Sequence, residues 1–249
     1  MIAAIMQPTY LPWIGYFDLI DSVDTFVFLD DAQVLKRSWG VRNRILGKDG
    51  KTMLTVPLAG HNQADAPTFF ATATDPAPKW RRTHLATIRH AYAKAPHFEE
   101  VYARLEALLT GDHVTIGALN IAFIEDTARR MGIVTPLEAS SQMPGLGGRK
   151  DTRLLAICRK VGADAYLSAR GSAAYIEQDR AGGAFANTDV MLRYHHYVHP
   201  AYDQGCGGFV SHMSVIDLLM RRGYADALGV IRSGRRPMLT SAELQDVAA

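Results

Sequence analysis

The first thirty residues place a strand, a turn, a helix and a second strand in an order that few folds accommodate. Residues 2–6 (IAAIM) form a short apolar run, which is typical of a strand buried on both faces. Pro12 stands where helices often begin, and residues 13–23 have helical apolar spacing. Residues 25–29 (TFVFL) are β-branched, aromatic or aliphatic and predict the second strand. This unit predicts a right-handed crossover between two parallel strands.

The rest of the chain continues to alternate between strand and helix patterns, with one helical block between them. Further strands are predicted at residues 52–58, 133–139, 165–168 and 190–195, and helices at 79–93, 97–110, 113–131, 151–160 and 214–222. The predicted fold class is α/β, a doubly wound, mainly parallel sheet with a helical insertion at about 79–132. We expect a single domain over residues 1–232 and a loose C-terminal tail over 233–249. Ligands of such sheets bind at the carboxyl ends of the strands.

The composition is that of an ordinary globular chain. Its 249 residues are 48% hydrophobic and 21% charged, and the formal net charge is +2. This balance argues against wholesale disorder and gives no strong signal for a nucleic-acid partner. No apolar run is long enough to span a membrane, and the first residues lack the basic region of a signal peptide. We therefore expect a cytoplasmic protein.

The turn after the first strand is the first candidate site. It offers neutral hydrogen-bonding or aromatic side chains at Gln7, Tyr10, Trp13 and Tyr16, and Gly15 would let a ligand approach the backbone closely. Amide groups at the start of the following helix would favour an anion. The alternative is a well-packed turn with a core Trp and Tyr.

The segment after the second strand is the second candidate, because it should rim the same cleft. Asp30 and Asp31 could bind Mg²⁺ or act as a base. Candidate ligand contacts in this segment are Gln33, Arg37, Trp39, Arg42 and Asn43. Its arginines could bind a phosphate or a carboxylate through two hydrogen bonds. The alternative is a solvated loop with internal salt bridges.

A Gly-rich segment before the helix at 151–160 is the third candidate. Ser140 and Ser141 precede it, and Lys150 lies at its end. Such a loop suits phosphate binding, but the spacing is not that of a Walker A loop. The segment alone is a weak signal.

Three histidines fall within five residues and form the fourth candidate. On a strand His195 and His199 would share a face opposite His196, and no further ligand completes a tetrahedral set, so no metal site is predicted. His199 is the candidate acid–base residue, and Tyr202 and Gln204 are candidate ligand contacts.

The two cysteines do not have the spacing of a metal or redox pair. Cys158 lies on the apolar stripe of a predicted helix and is expected in the core. Cys206 lies between glycines, where it could be a nucleophile only with a base such as His199.

Several of these stretches together resemble the WbqC-like protein family. They are QPTYLPWIGYFDLID (7–21), FLDDAQVLKRSWGVRNRI (28–45), LTVPL (54–58), the serines at 140–141, RLLAICRKVGADAYLSARG (153–171), HPAYDQ (199–204) and SVIDLL (214–219). The resemblance implies a protein encoded among genes for surface polysaccharide, such as O-antigen, or other glycoconjugates. Ala169 stands where Gly is expected, and Arg221-Arg222 stand where Phe-Asn is expected.

The N-terminal turn is also similar to the nucleotide-binding turn of the HUP-type, Rossmann-like superfamily. That superfamily has an H-x-G-H signature, and the equivalent stretch here is Trp13-Ile14-Gly15-Tyr16, without either histidine. The difference disfavours ordinary adenylyl transfer.

Three functional hypotheses remain open from the sequence. The first is a transferase that moves an acyl or aminoacyl group onto an amine of an amino sugar or other small metabolite. The second is a nucleotidyltransferase or ligase that uses ATP or another nucleotide with Mg²⁺. The third is a non-catalytic protein of a glycan-assembly complex. The sequence does not decide the cofactor, and a homodimer stays open.

Overall fold

The computed structural model describes residues 1–48, 50–60, 67–205 and 207–246. The strands in these residues are β1 (Ile2–Met6), β2 (Thr25–Phe28), β3 (Arg42–Gly47), β4 (Gly50–Thr55), β5 (Leu137–Ala139), β6 (Ala165–Ala169) and β7 (Met191–His195). Five of them form one parallel sheet in the order β5-β2-β1-β6-β7. The predicted doubly wound α/β fold is confirmed, and the order is consistent with a Rossmann-like or HUP-like sheet. The order of strands reverses between β1 and β6, so a crevice is expected at their carboxyl ends.

Helices cover both faces of this sheet. They are α1 (Ile14–Asp21), α2 (Lys79–Tyr92), α3 (Phe98–Thr110), α4 (Ile116–Arg130), α5 (Lys150–Lys160), α6 (Ala173–Ile176), α7 (Val215–Ser233) and α8 (Ser241–Asp246). The three predicted helices of the central block are confirmed as α2, α3 and α4. The division of the chain into one domain with an insertion stays a prediction.

The two faces of β1 contribute to two separate cores. Ala4 packs with residues of α1, α2, α3, α4 and α7, whereas Ala3 and Ile5 pack with residues of α5 and α6. This split follows from the alternation of side chains along a strand. A strand that is buried on both faces appears in the sequence as a continuous apolar run, and for this reason β1 could be predicted.

An antiparallel hairpin was not predicted. The sequence predicts a loop over residues 42–44 and a strand over residues 52–58. Instead β3 and β4 pair with each other in a two-stranded sheet of their own. Because β3 ends at Gly47 and β4 begins at Gly50, the two strands are close enough in sequence to pair antiparallel, whereas parallel strands would need a long crossover.

The C-terminal part of the chain departs from the sequence prediction in two ways. Gly223 interrupts α7 with a φ of 68°, as a predicted stop would, but the helix then resumes and ends at Ser233. The described part of the predicted loose tail is packed: Leu239 and Tyr194 exchange two backbone hydrogen bonds of 2.9 and 2.8 Å. Arg235 forms an ion pair of 2.9 Å with the buried Asp18. These contacts hold residues 235–239 to β7 and α1.

None of the helices in the described ranges is long and apolar enough to cross a membrane.

Candidate functional site

The turn after β1 is strained and tightly held. Leu11 has a φ of 45°, although it has a bulky side chain and precedes Pro12. The buried Asn43 donates from Nδ2 to the carbonyl oxygen of Leu11 at 2.9 Å. The buried Asn120 donates from Nδ2 to the carbonyl oxygen of Pro8 at 2.9 Å. Backbone strain that the surroundings enforce in this way is a feature of ligand sites, and here it points to the carboxyl end of β1.

A cavity of about 260 Å³ opens beside this turn, and we call it the aromatic cavity. It is lined by Met6, Thr9, Trp13, Tyr16, Trp39, Asn43, Arg44 and His212. Three large aromatic side chains thus meet one cation and one imidazole at the predicted crevice. A mainly apolar cavity with a few polar groups is the usual form of a small-molecule site.

Gly15 lies directly beneath the indole ring of Trp13. A Cβ atom at position 15 would lie 2.2 Å from Cη2 of Trp13, which is far inside contact distance. Gly15 therefore accommodates a side chain of the same turn, and not a ligand as the sequence suggested. The indole ring consequently covers the first turn of α1 on the side of the cavity.

Arg44 provides the positive charge of the cavity. Its Cζ atom lies 5.4 Å from the centroid of the Trp39 ring, and its Nε donates to the carbonyl oxygen of His212 at 3.3 Å. Its terminal nitrogens have no hydrogen-bond partner among residues 1–48, 50–60, 67–205 and 207–246. The stacked Trp39, which is half exposed, holds the guanidinium group at the rim, with donors left for an anion.

His212 lines the cavity and stacks on Trp13. Its ring centroid lies 4.9 Å from that of Trp13, at an interplanar angle of 26°. Its backbone has a φ of 60°, and Nδ1 lies 2.9 Å from the Ser211 hydroxyl oxygen. Burial, with the charges of Arg44 and Lys51, lowers the pKa of His212 below its usual range. His212 is therefore a neutral imidazole at pH 7 and can accept a proton.

His199 also stacks on Trp13, with ring centroids 6.0 Å apart. Nδ1 lies 3.0 Å from the carbonyl oxygen of Pro200, which makes Nδ1 the donor and Nε2 the acceptor. Nε2 is buried without a partner in the described part of the chain. Burial lowers the pKa of His199, so this ring is neutral as well. His199 does not line the aromatic cavity. It packs against Trp13, and its ring centroid lies 5.3 Å from that of His212.

Asp30 and Asp31, predicted as catalytic carboxylates, are engaged by other side chains. Ser141 donates to Asp30 through its hydroxyl group at 2.6 Å and through its amide at 2.9 Å. Ser140 donates to Asp31 at 2.6 Å, and Arg153 forms an ion pair with Asp31. These bonds tie the end of β2 to the end of β5. The occupied oxygens do not fit a Mg²⁺ site or a free base.

Asp217 is a further buried carboxylate, and it lies behind the segment that leads to His212. Tyr92 donates to it at 2.9 Å, Tyr202 at 2.8 Å and Gln204 at 2.9 Å. Burial raises the pKa of Asp217. Gln204 also exchanges two hydrogen bonds with the backbone of Val210, at 3.0 and 2.8 Å. Tyr202 and Gln204, predicted as ligand contacts, thus fix the segment that leads to His212.

The comparisons with known proteins give a family for the chain. The model of the WbqC-like protein family matches residues 7–227. The chain belongs to the WbqC-like protein family. It is 32% identical over 237 residues to an uncharacterized protein, Rv1507c, of Mycobacterium tuberculosis, an alignment that covers 94% of this chain and 98% of the relative. No solved structure matches the chain.

The site residues predicted for this WbqC-like protein separate into two groups in the structure. Trp13, Tyr16, Trp39 and Asn43 line the aromatic cavity. Gln7 is exposed beside it, and its carbonyl oxygen accepts a hydrogen bond of 3.1 Å from Tyr16. The predicted residues that do not line it are Gln7, Tyr10, Gly15, Asp30, Asp31, Gln33, Arg37, Arg42, Ser140, Ser141, Lys150, His199, Tyr202 and Gln204. Tyr10 is buried, and its hydroxyl oxygen lies 2.9 Å from Nδ1 of His84.

Of the other lining residues of this WbqC-like site, Met6 and Thr9 lie in the predicted turn, Arg44 lies in the predicted segment that carries arginines, and His212 was not predicted. Arg44 belongs to the hairpin that the sequence did not reveal, and His212 is brought in from a distant loop. Cys206, considered as a nucleophile, lies outside the described residues. Within those residues, no group of three or more His, Cys, Asp or Glu side chains could hold a metal ion.

Proposed function

We propose that this WbqC-like protein is a small-molecule transferase that binds its ligands in the aromatic cavity and moves an acyl or aminoacyl group onto an amine. The observation that carries the proposal is the meeting of Trp13, Trp39, Arg44 and His212 at one cavity at the carboxyl end of β1. Aromatic faces suit a sugar or other ring, and Arg44 suits an anionic group.

The proposed reaction needs a base and a donor of hydrogen bonds. The amine nitrogen attacks the acyl carbon, a C–N bond forms, and the bond from the acyl carbon to the leaving group breaks with its electron pair. The proton lost by the amine passes to His212, whose lowered pKa keeps it neutral at pH 7. Terminal nitrogens of Arg44 would stabilise the negative charge that develops on the carbonyl oxygen.

The acceptor we propose is an amino sugar or a small amine of similar size. A cavity of about 260 Å³ between Trp13 and Trp39 matches one ring and not a polymer. The resemblance to the WbqC-like family implies a protein encoded among glycoconjugate genes, and this supports the same class of acceptor.

The experiment combines the protein with acyl and aminoacyl donors and a panel of amino sugars, with detection of the amide by mass spectrometry. We expect His212→Gln to lower kcat by about a hundredfold or more, because a general base is lost. The matched control is Arg82→Gln, since Arg82 is exposed on α2 and does not line the cavity. Amide formation that is unchanged in both His212→Gln and Arg44→Gln would contradict the assignment.

A second candidate is the nucleotide-dependent enzyme. One observation favours it: Trp13 and Tyr16, at the positions of the two signature histidines, both line the cavity of a HUP-like sheet. Calorimetry with ATP, CTP and a nucleotide sugar, with and without Mg²⁺, separates it from the first candidate. If none of these nucleotides binds, the nucleotide-dependent candidate is contradicted. Stable capture of a partner protein, with no ligand-induced thermal shift, would favour a non-catalytic role instead.

A further inference from the structure

One face of the β3–β4 hairpin carries cations next to the aromatic cavity. In the antiparallel register Arg42 opposes Thr55, Arg44 opposes Met53, and Leu46 opposes Lys51. Side chains two residues apart share a face, so Arg42, Arg44 and Lys51 project from the same side of the hairpin. Lys51 and Met53 are exposed on this side, so it is open to solvent.

These three cations are not neutralised by the described carboxylates. Ion pairs elsewhere in the protein use Arg104, Arg130, Arg153, Arg159, Arg232 and Arg235. None of the pairs found within the described ranges involves Arg42, Arg44 or Lys51. Nε of Arg42 is buried without a hydrogen-bond partner, and only Nε of Arg44 has one. A partly buried guanidinium group without a partner favours an anionic ligand.

The other place where a phosphate could bind, the N-terminus of α1, is covered. The indole ring of Trp13 lies on Gly15, in the first turn of the helix. Pro12 accepts a hydrogen bond of 2.8 Å from the amide of Val215, and Trp13 pairs with Ser214. A ligand in the aromatic cavity therefore meets an aromatic face at α1 and meets the positive charges at the hairpin.

We propose that the ligand of the aromatic cavity carries a phosphate or diphosphate group, and that the β3–β4 hairpin holds this group through Arg44 and Lys51, with Arg42 behind them. The inference rests on the proposed function, because it concerns the same cavity. Several cations on one face match a multivalent anion better than a single carboxylate. The ring attached to the phosphate would stack on Trp39. Activated donors whose leaving group contains phosphate have this combination of parts.

The test uses ¹⁵N-labelled full-length protein and inorganic pyrophosphate as the probe. We expect the amide resonances of Arg44 and Lys51 to shift with a saturable dependence on pyrophosphate, and those of Gly15 and Tyr16 to stay in place. Calorimetry should show that Arg44→Gln weakens pyrophosphate binding about tenfold or more and Lys51→Gln several-fold. Arg82→Gln, which removes an equal charge away from the cavity, should leave the affinity unchanged.

Two results would overturn the proposal. One is a shift of the Gly15 and Tyr16 amides without a shift at Arg44, which would place the anion on α1. The other is no saturable pyrophosphate binding, or binding that Arg44→Gln and Arg82→Gln weaken equally. The proposed function is tested separately by amide formation, so it survives if amides form while pyrophosphate does not bind. Conversely, binding of pyrophosphate at the hairpin with no amide product would support the anion site and contradict the proposed transferase activity.

Discussion

The indole ring of Trp13 lies over Gly15, two residues further along the same turn, so closely that any side chain at position 15 would overlap it. This relationship explains both residues at once. Glycine is needed so that the ring can fold back on the helix, and the folded ring then forms one wall of the aromatic cavity. It also removes the first turn of α1 from contact with a ligand, which moves the expected anion site to Arg44.

Gly15→Ala tests this relationship through stability. The added methyl group would overlap the Trp13 ring, and overpacking of this kind costs about 1–3 kcal/mol of the free energy of unfolding. Urea titration measures it. The control is Gly229→Ala, since a Cβ atom at this exposed position of α7 meets no atom within 4 Å. It should raise the free energy of unfolding by about 0.5–1 kcal/mol. Equal effects of the two substitutions would refute the overlap.

Asp30→Ala tests whether Asp30 is structural. Asp30 accepts hydrogen bonds from Ser140 and Ser141, and loss of bonds to a charged group costs about 1.5–3 kcal/mol. We expect a loss of at least about 2 kcal/mol in urea titration, with the activity per folded molecule retained. Asp226→Ala, at an exposed position of α7, should stay within about 0.5 kcal/mol of the original protein. An Asp30 variant of unchanged stability and abolished activity would restore the catalytic role.

The sequence predicted what is local and missed what depends on distant partners. The strand 2–6, the following turn and its Trp13 and Tyr16 were predictable, because burial on both faces and a strand-to-helix transition leave a local pattern. Asp30 looked like a free catalytic carboxylate in the sequence. Its hydrogen-bond partner Ser140 lies 110 residues further along the chain, so the sequence did not show that the two side chains meet. Nothing local shows that the oxygens of a carboxylate are already occupied.

The same limit explains why the sequence did not show which arginine lines the cavity and why His212 was missed. Arg44 belongs to the segment whose arginines were candidate anion contacts, but its position at the cavity is set by the hairpin, which is defined by pairing with Met53 and not by a strong strand pattern. His212 reaches the cavity through its stacking on Trp13, far away in the chain. In this protein, a residue's role at the site depends on tertiary contacts that one sequence does not display.

The protonation of His212 depends on Arg44. Burial and the charges of Arg44 and Lys51 lower the pKa of His212, so its NMR titration should have a midpoint below the ordinary value of 6.5. Arg44→Gln removes one positive charge and should raise that midpoint. The His212 signal is assigned by its absence in His212→Asn, and Arg82→Gln should leave the midpoint unchanged. A midpoint that Arg44→Gln lowers or leaves in place would show that the two groups do not interact.

Asp217 should make the protein less stable as pH rises. Burial raises its pKa in the folded protein above the ordinary value of 3.8, so the folded state binds a proton that the unfolded chain releases. From pH 4 upward through the raised pKa, its contribution to the free energy of unfolding therefore falls. We expect the stability difference between the original protein and Asp217→Asn, measured by urea titration, to shift in favour of the variant between pH 4 and pH 7. A shift in favour of the original protein would contradict the burial argument.

The aromatic cavity as the ligand site is tested most directly by ¹⁹F NMR of protein labelled with 5-fluorotryptophan. The chain has three tryptophans, of which Trp13 and Trp39 line the aromatic cavity and Trp80 lies on α2 beside a different cavity. Single Trp→Phe variants assign the three signals, and calorimetry identifies a donor or acceptor that binds. We expect this ligand to shift the ¹⁹F signals of Trp13 and Trp39 and to leave the Trp80 signal unchanged. A ligand that binds while only the Trp80 signal moves, or while no signal moves, would contradict it.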